Sequence, residues 1–252
     1  MATHAPIDAR PARPTQHPYL EIPILPQPDD VTCGPTCLHA VYGYMGIEDD
    51  LAQLIGEVRG LPEGGTLAVY LGNHALKRGL KARLYSYHLE IFDPSWQGLA
   101  GEALAAKLAA QLGYKSGEKF ERASRAYIRF LELGGQIALD DLTPELLDVP
   151  FNAGLPVLTG LSATYLYGSR REYTGPGNRA IYDDVRGEPT GHFVVLCGRE
   201  GDNVRVADPF LGNPLADGHH YDVDVQRLIR AIFLGVMTYD ANLLVVSRDP
   251  LP

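Results

Sequence analysis

The apolar positions change period along this chain. From Cys33 they recur at helical spacing through Cys37, Leu38, Val41, Tyr42 and Met45, and the run stops at Gly46. Thr32 stands where an N-cap is expected, and Pro35 is tolerated in a first turn. The spacing of Leu51, Leu54, Ile55 and Val58 predicts a second helix over about 48–58, and a third covers about 66–78 before Gly79. Leu80 to His88 reads as a strand, followed by amphipathic helices over Leu99–Leu112 and Glu118–Leu133. Beyond these the period shortens. Ile137–Leu139, Leu155–Leu161, His192–Arg199, Asn203–Ala207 and Ala241–Ser247 are β-rich runs bounded by Gly, Pro, Asp or Asn, with a helix expected at about 223–234. Helices first and strands afterwards predict an α+β fold rather than an alternating parallel one.

Residues 1–18, with four prolines and no apolar period, read as a mobile tail before a single domain over 19–252. Within it a helical lobe is expected over about 30–135 and a β lobe over about 136–252. Tyr19 to Pro26 suits an edge strand or extended lead-in. Thr164 to Thr190 lacks a period and reads as a long loop or distorted hairpin leading into His192, a position where substrate contacts often lie.

Composition narrows the function. At 252 residues, 45% hydrophobic and 21% charged, the chain can bury a sizeable core. A net charge of −9 argues against nucleic acid or an anionic membrane surface as partner, because both require a concentrated basic face. A peptide, protein or small-molecule substrate is expected instead. Three cysteines, Cys33, Cys37 and Cys197, do not make a disulfide framework and suit a reducing compartment. Neither a signal-type h-region nor an apolar run of about 20 residues is visible, so a soluble cytoplasmic protein is expected. Composition leaves the oligomeric state open.

Four residues supply candidate chemistry. Cys33 opens a helix, where the dipole and unpaired backbone N–H groups favour a thiolate. His192 begins one strand and Asp208 follows its hairpin partner, so pairing brings an imidazole beside a carboxylate able to orient it. Gln27, six residues before the thiol, can add a side-chain amide to the Cys33 backbone N–H as donors to a developing oxyanion. Cys37 falls one turn later and reads as core, as does Cys197 inside a strand. A metal site built on Cys33, Cys37 and His39 or His192 lacks any paired CxxC or HExxH spacing, and no cofactor is required. His219 and His220 read as surface histidines, and Arg170 and Arg171 as a solvated loop tip.

Gln27 through Cys33-Gly34-Pro35, Gly191-His192-Phe193-Val194-Val195 and Asp208-Pro209 resemble the signature of papain-like cysteine peptidases, nearest to the bacterial bacteriocin-processing, double-glycine family. The motif residues span about a fifth of the chain, and the Cys-to-His separation lies just beyond the roughly 130–150 residues usual for papain-type enzymes. The resemblance implies a papain-like fold, with an N-terminal helical lobe carrying the nucleophile and a C-terminal antiparallel β-sheet lobe carrying His192 and Asp208. It also implies an extended peptide bound in a cleft between them. The expected activity is hydrolysis of a peptide or isopeptide bond through an acyl-enzyme. An acyl or γ-glutamyl transferase on the same residues, and an inactive peptide-binding module, are the alternatives.

Overall fold

The computed structural model describes residues 19–62, 64–99, 101–175 and 180–252. The expected tail over 1–18, and part of the Gly175-Pro176-Gly177 turn, fall outside them.

The helical periods produce α1 (Cys33–Tyr44), α2 (Leu51–Glu57) and α3 (Ala68–Lys77), then after strand β1 (Lys81–Ser86) the helices α4 (Gly101–Gln111) and α5 (Glu118–Glu132). Strand β2 (Gln136–Ala138) follows, then α6 (Pro144–Asn152), β3 (Val157–Ser162) and α7 (Ala163–Tyr167). A small hairpin of β4 (Glu172–Thr174) and β5 (Ala180–Tyr182) precedes β6 (Gly191–Glu200), β7 (Asn203–Ala207), β8 (His220–Asp224), α8 (Val225–Leu234) and β9 (Asn242–Ser247). The stretch 164–190 is therefore not one loop. Ser162 caps α7 through its side chain, Gly168 ends it in the left-handed region at φ 66°, and the β4–β5 ribbon follows.

Among the described residues seven strands form one sheet in the order β2-β1-β9-β3-β6-β7-β8, antiparallel throughout except for β1 with β2. Mixed helices around a large, mostly antiparallel sheet make the fold α+β. The β-strand period of two explains how both faces are buried. Leu244 and Val246 of β9, and Phe193, Val195 and Cys197 of β6, pack with α1, α3, α4 and α5; Leu243, Val245, Val194 and Leu196 point the other way, against α6, α7 and α8. This is why both strands read as unbroken apolar runs. β1, from the half of the chain read as helical, pairs with β9 from the C-terminus and so ties the two halves into one sheet.

α1 is buried along almost its whole length. Its N-terminus can lie on β6 only because residue 34 is glycine: a Cβ there would stand 2.6 Å from Thr66 Cγ2 and 3.2 Å from Phe193 Cδ2. That approach sets Cys33 over the start of β6, where His192 lies.

Candidate active site

The loop before α1 delivers Cys33 with its helix start uncapped. Thr32 occupies the N-cap position, but its hydroxyl turns back to the Asp29 carbonyl at 3.4 Å and makes no cap hydrogen bond. The expected cap is thus absent, and the Gly34 N–H that a Thr32 side chain would occupy is left without that acceptor, Pro35 having no N–H to offer. Asp29 closes the turn by accepting from Val31 N–H at 3.0 Å. The Gln27 backbone N–H donates to Pro209 O at 3.0 Å, which pins this loop to the segment after Asp208.

β6 and β7 position the imidazole and the carboxylate. A register shift between Leu196 and Gly198 brings Val195 opposite Ala207, and the next residue, Asp208, turns toward the beginning of β6. His192 Nε2 lies 2.8 Å from Asp208 Oδ1, with both residues buried. Asp208 is satisfied on every side. Phe210 N–H donates to Oδ1 at 2.8 Å, while the Tyr167 and Tyr221 hydroxyls donate to Oδ2 at 2.7 and 2.6 Å. Burial opposes ionisation of this carboxyl, yet His192 and the two tyrosines hold its pKa below the usual carboxylate value. Burial first, and then the same carboxylate, push the pKa of both tyrosine hydroxyls far up, so they remain donors.

Cys33 and His192 line the same cavity, and the sulfur acts on the imidazole there. With Nε2 engaged by Asp208, Nδ1 is the ring nitrogen left to face the thiol. Burial alone would lower the imidazole pKa, but the Asp208 carboxylate and the Cys33 sulfur raise it above the ordinary histidine value. Thiol, imidazole and carboxylate are therefore neighbours in that order, an arrangement that can remove a proton from sulfur and hold the resulting imidazolium.

Gln27 is placed differently from the expectation of a free oxyanion donor. Its Nε2 donates to Asp29 O at 2.7 Å, and its Oε1 is buried without a partner. It nonetheless lines a cavity of 110 Å³ together with Tyr167, Arg170, His192 and Phe210. Next to it a cavity of 190 Å³ holds Cys33, Thr66, Lys119, Thr238 and Asp240, and a third of 620 Å³ runs past Val31, Glu172 and Glu188. All three share Asp30 and Gly191, so they form one groove passing over the thiol.

Several residues escaped the sequence reading. Tyr221 lies on β8, whose alternation from His220 to Asp224 is a readable strand signal, but only the register Val206↔Tyr221 brings its hydroxyl to Asp208. Asp240 is buried on the wall of the Cys33 cavity, accepts from Thr238 Oγ1 at 2.6 Å and has no ion pair among the described residues. Burial raises its pKa to about 7, against the opposing pull of Thr238, Lys119 and His192. His219 is not a plain surface histidine: its Nδ1 lies 2.6 Å from the Asp208 carbonyl, and its own carbonyl accepts from Asp208 N–H at 2.8 Å. Arg170, expected at a solvated tip, lines the groove while remaining exposed.

Cys37 and Cys197 are buried and unpaired. The Cys37 thiol donates to Phe193 O, and burial raises the pKa of both thiols. Among the described residues no three His, Cys, Asp or Glu side chains are grouped to hold a metal ion, and no helix is long and apolar enough to cross a membrane.

No family model and no curated protein matches the chain. Solved structures do. A candidate C39-like peptidase from Bacillus anthracis matches with a TM-score of 0.45 and 17% identity, over 92% of this chain and 96% of that one. A double-glycine-motif protease of an AMS/PCAT transporter, solved with a leader peptide, matches at TM-score 0.44 and 15% identity, over 93% and 96% of the two chains. The peptidase domain of Streptococcus ComA, a bifunctional ABC transporter of a quorum-sensing pathway, matches at 0.41 and 14%, over 92% of this chain and 100% of its own. Over most of its length, then, this chain is similar in structure to C39-type peptidases at low sequence identity.

Proposed function

We propose that this protein is a cysteine peptidase that cleaves a peptide or isopeptide bond through a Cys33 thioester. The observation that carries this reading is the buried His192 ring, bonded to a carboxylate with three further donors and sharing a cavity with a thiol at an uncapped helix start. Cys33 Sγ attacks the substrate carbonyl carbon as His192 Nδ1 takes the thiol proton. The imidazolium then protonates the leaving amine, the C–N bond breaks, and water activated by the same nitrogen releases the acyl group. Asp208 orients the ring and stabilises its charged form.

The oxyanion faces the Cys33 backbone N–H, with Gln27 as the second donor. The Gln27 amide nitrogen carries two hydrogens, of which the Asp29 carbonyl occupies one. Each such donor is worth about 3 kcal/mol in comparable sites. The continuous groove on both sides of the thiol suits an extended peptide rather than a compact metabolite. The three unpaired, buried thiols suit a reducing, cytoplasmic setting.

Iodoacetamide labelling at about pH 6 tests the pair, since an ordinary thiol with a pKa near 8.5 is then almost wholly protonated. Rapid labelling of Cys33, slowed in His192→Ala, is the expected result. Slow labelling indifferent to His192 sinks the thiolate–imidazolium pair, and turnover that survives Cys33→Ala sinks the thioester.

A further inference from the structure

Thr238 and Asp240 line the 190 Å³ cavity that also holds Cys33 and His192, yet neither has a part in the proposed acyl chemistry. Asp240 is 7% exposed, and a buried carboxyl without an ion pair is costly, so the fold must make a place for it. It does so from two strands. A Cβ on Gly160 of β3 would stand 2.7 Å from Asp240 Oδ1, and one on Gly191 of β6 would stand 2.2 Å from Oδ2. Glycine at both positions leaves room for this side chain. The flanking backbone carries a further cost. Tyr239 and Ala241 stand at φ 67° and 54°, the sole non-glycine residues in the left-handed region among the described residues. Such backbone persists where its surroundings hold it in place, and it gathers at sites that bind or react.

Half of this carboxyl is free. Oδ2 accepts from Thr238 Oγ1 at 2.6 Å, while Oδ1 accepts no hydrogen bond among the described residues. Lys119 also lines the cavity but is engaged elsewhere: its ammonium donates to Thr238 O at 3.5 Å, lies 4.5 Å from the centre of the Tyr239 ring and forms no ion pair among the described residues. Leu61 and Phe193 supply apolar wall. Asp30 shares the cavity, and Glu172 and Glu188 line the adjoining one, so the approach to Asp240 is acidic.

We infer that this cavity is a subsite for a lysine or arginine side chain of the bound peptide, with its charged end against Asp240 Oδ1 and its methylene stem against Leu61 and Phe193. An acidic group in a side-chain pocket is one way a peptidase sets basic specificity. Burial keeps the empty carboxyl protonated up to about pH 7, and an arriving ammonium group favours its charged form. An aliphatic side chain would leave Oδ1 without a partner, and a carboxylate would meet like charge, so the pocket selects against both. The subsite rests on the peptidase reading, because it lies in the groove assigned to the peptide.

The test gives wild type a random dodecapeptide pool that includes norleucine, at about pH 8, where Asp240 is mostly ionised, and maps the cut sites by mass spectrometry. Lysine should be favoured over norleucine about tenfold or more at one fixed position from the cut, because a hydrogen bond to a charged group is worth roughly that factor. In Asp240→Asn, which keeps the shape of the side chain, that ratio should fall toward one. Equal use of the two side chains, a preference for glutamate, or a lysine preference that Asp240→Asn leaves unaltered overturns the inference. A second arm needs no turnover: immobilised Cys33→Ala protein should retain lysine peptides over norleucine peptides, and Cys33→Ala/Asp240→Asn should not. Where wild type cuts nothing, this arm decides. Lysine retention that depends on Asp240 then supports the subsite and sinks the peptidase reading alone, and its absence overturns the subsite.

Discussion

At the scale of single residues, the proposed chemistry depends on how Asp208 is held. The carboxylate has four donors, and two are phenols that arrive from α7 and β8. Tyr167→Phe or Tyr221→Phe removes one of them and should cost about 1.5–3 kcal/mol, the range for a hydrogen bond to a charged group. Asp208 is held below its unfolded pKa, so its stabilisation is present above the unfolded value and lost as pH falls through the folded one. Removing a tyrosine donor raises that folded value. Each variant should therefore melt at a higher pH on acid titration and shift the acid limb of kcat/KM the same way; an unmoved limb would make the tyrosines structural only. That Cys33, His192 and Asp208 form a candidate set was legible because their residue types occur in a usable order. Tyr167 and Tyr221 were not, since a tyrosine in a sequence gives no sign of which carboxylate it will meet.

At the scale of elements, the start of β6 is a crowded joint. A Cβ on Gly191 would stand 2.2 Å from Asp240 Oδ2 and 2.6 Å from Thr238 Oγ1. Gly191→Ala must therefore displace Asp240 or the adjoining His192, and it should destabilise by about 1–3 kcal/mol, as overpacking does. Cys33 alkylation at about pH 6 should slow in this variant while the circular dichroism spectrum is retained. Unchanged melting and labelling would show that the joint can yield. The long periodic helices and the buried strands were legible here, because a 3.6-residue or an unbroken apolar pattern survives any context. The pieces that were missed are short or depend on neighbours. α6 has two prolines, α7 spans five residues, and β4, β5 and β8 are three to five residues long.

At the scale of the whole molecule, stability should carry the mark of Asp240. Burial raises its pKa to about 7, so the native state keeps the proton through a range in which the unfolded carboxyl has already lost it. That contribution is fully present below the unfolded value and declines as pH rises from about 4 to about 7, at no more than about 1.4 kcal/mol per pH unit. The melting temperature of Asp240→Asn, relative to wild type, should accordingly rise between pH 5 and pH 7.5 and then level off; a flat difference would refute the buried proton. Because Asp240 shares a cavity wall with Cys33 and His192, its charge above that pH also adds to the acidity of the groove. What the sequence by itself determined is the α+β class, through the succession of periods, and the order in which thiol, imidazole and carboxylate occur. Only the tertiary structure decided that β1 and β9 join the two halves in one sheet, that Asp208 is held by two phenols, and that Asp240 is buried on the wall of the Cys33 cavity. The reason is physical. Periodicity is a local property of the backbone, whereas these contacts join residues far apart in the chain, and strand register and helix packing choose among many partners of the same chemical type.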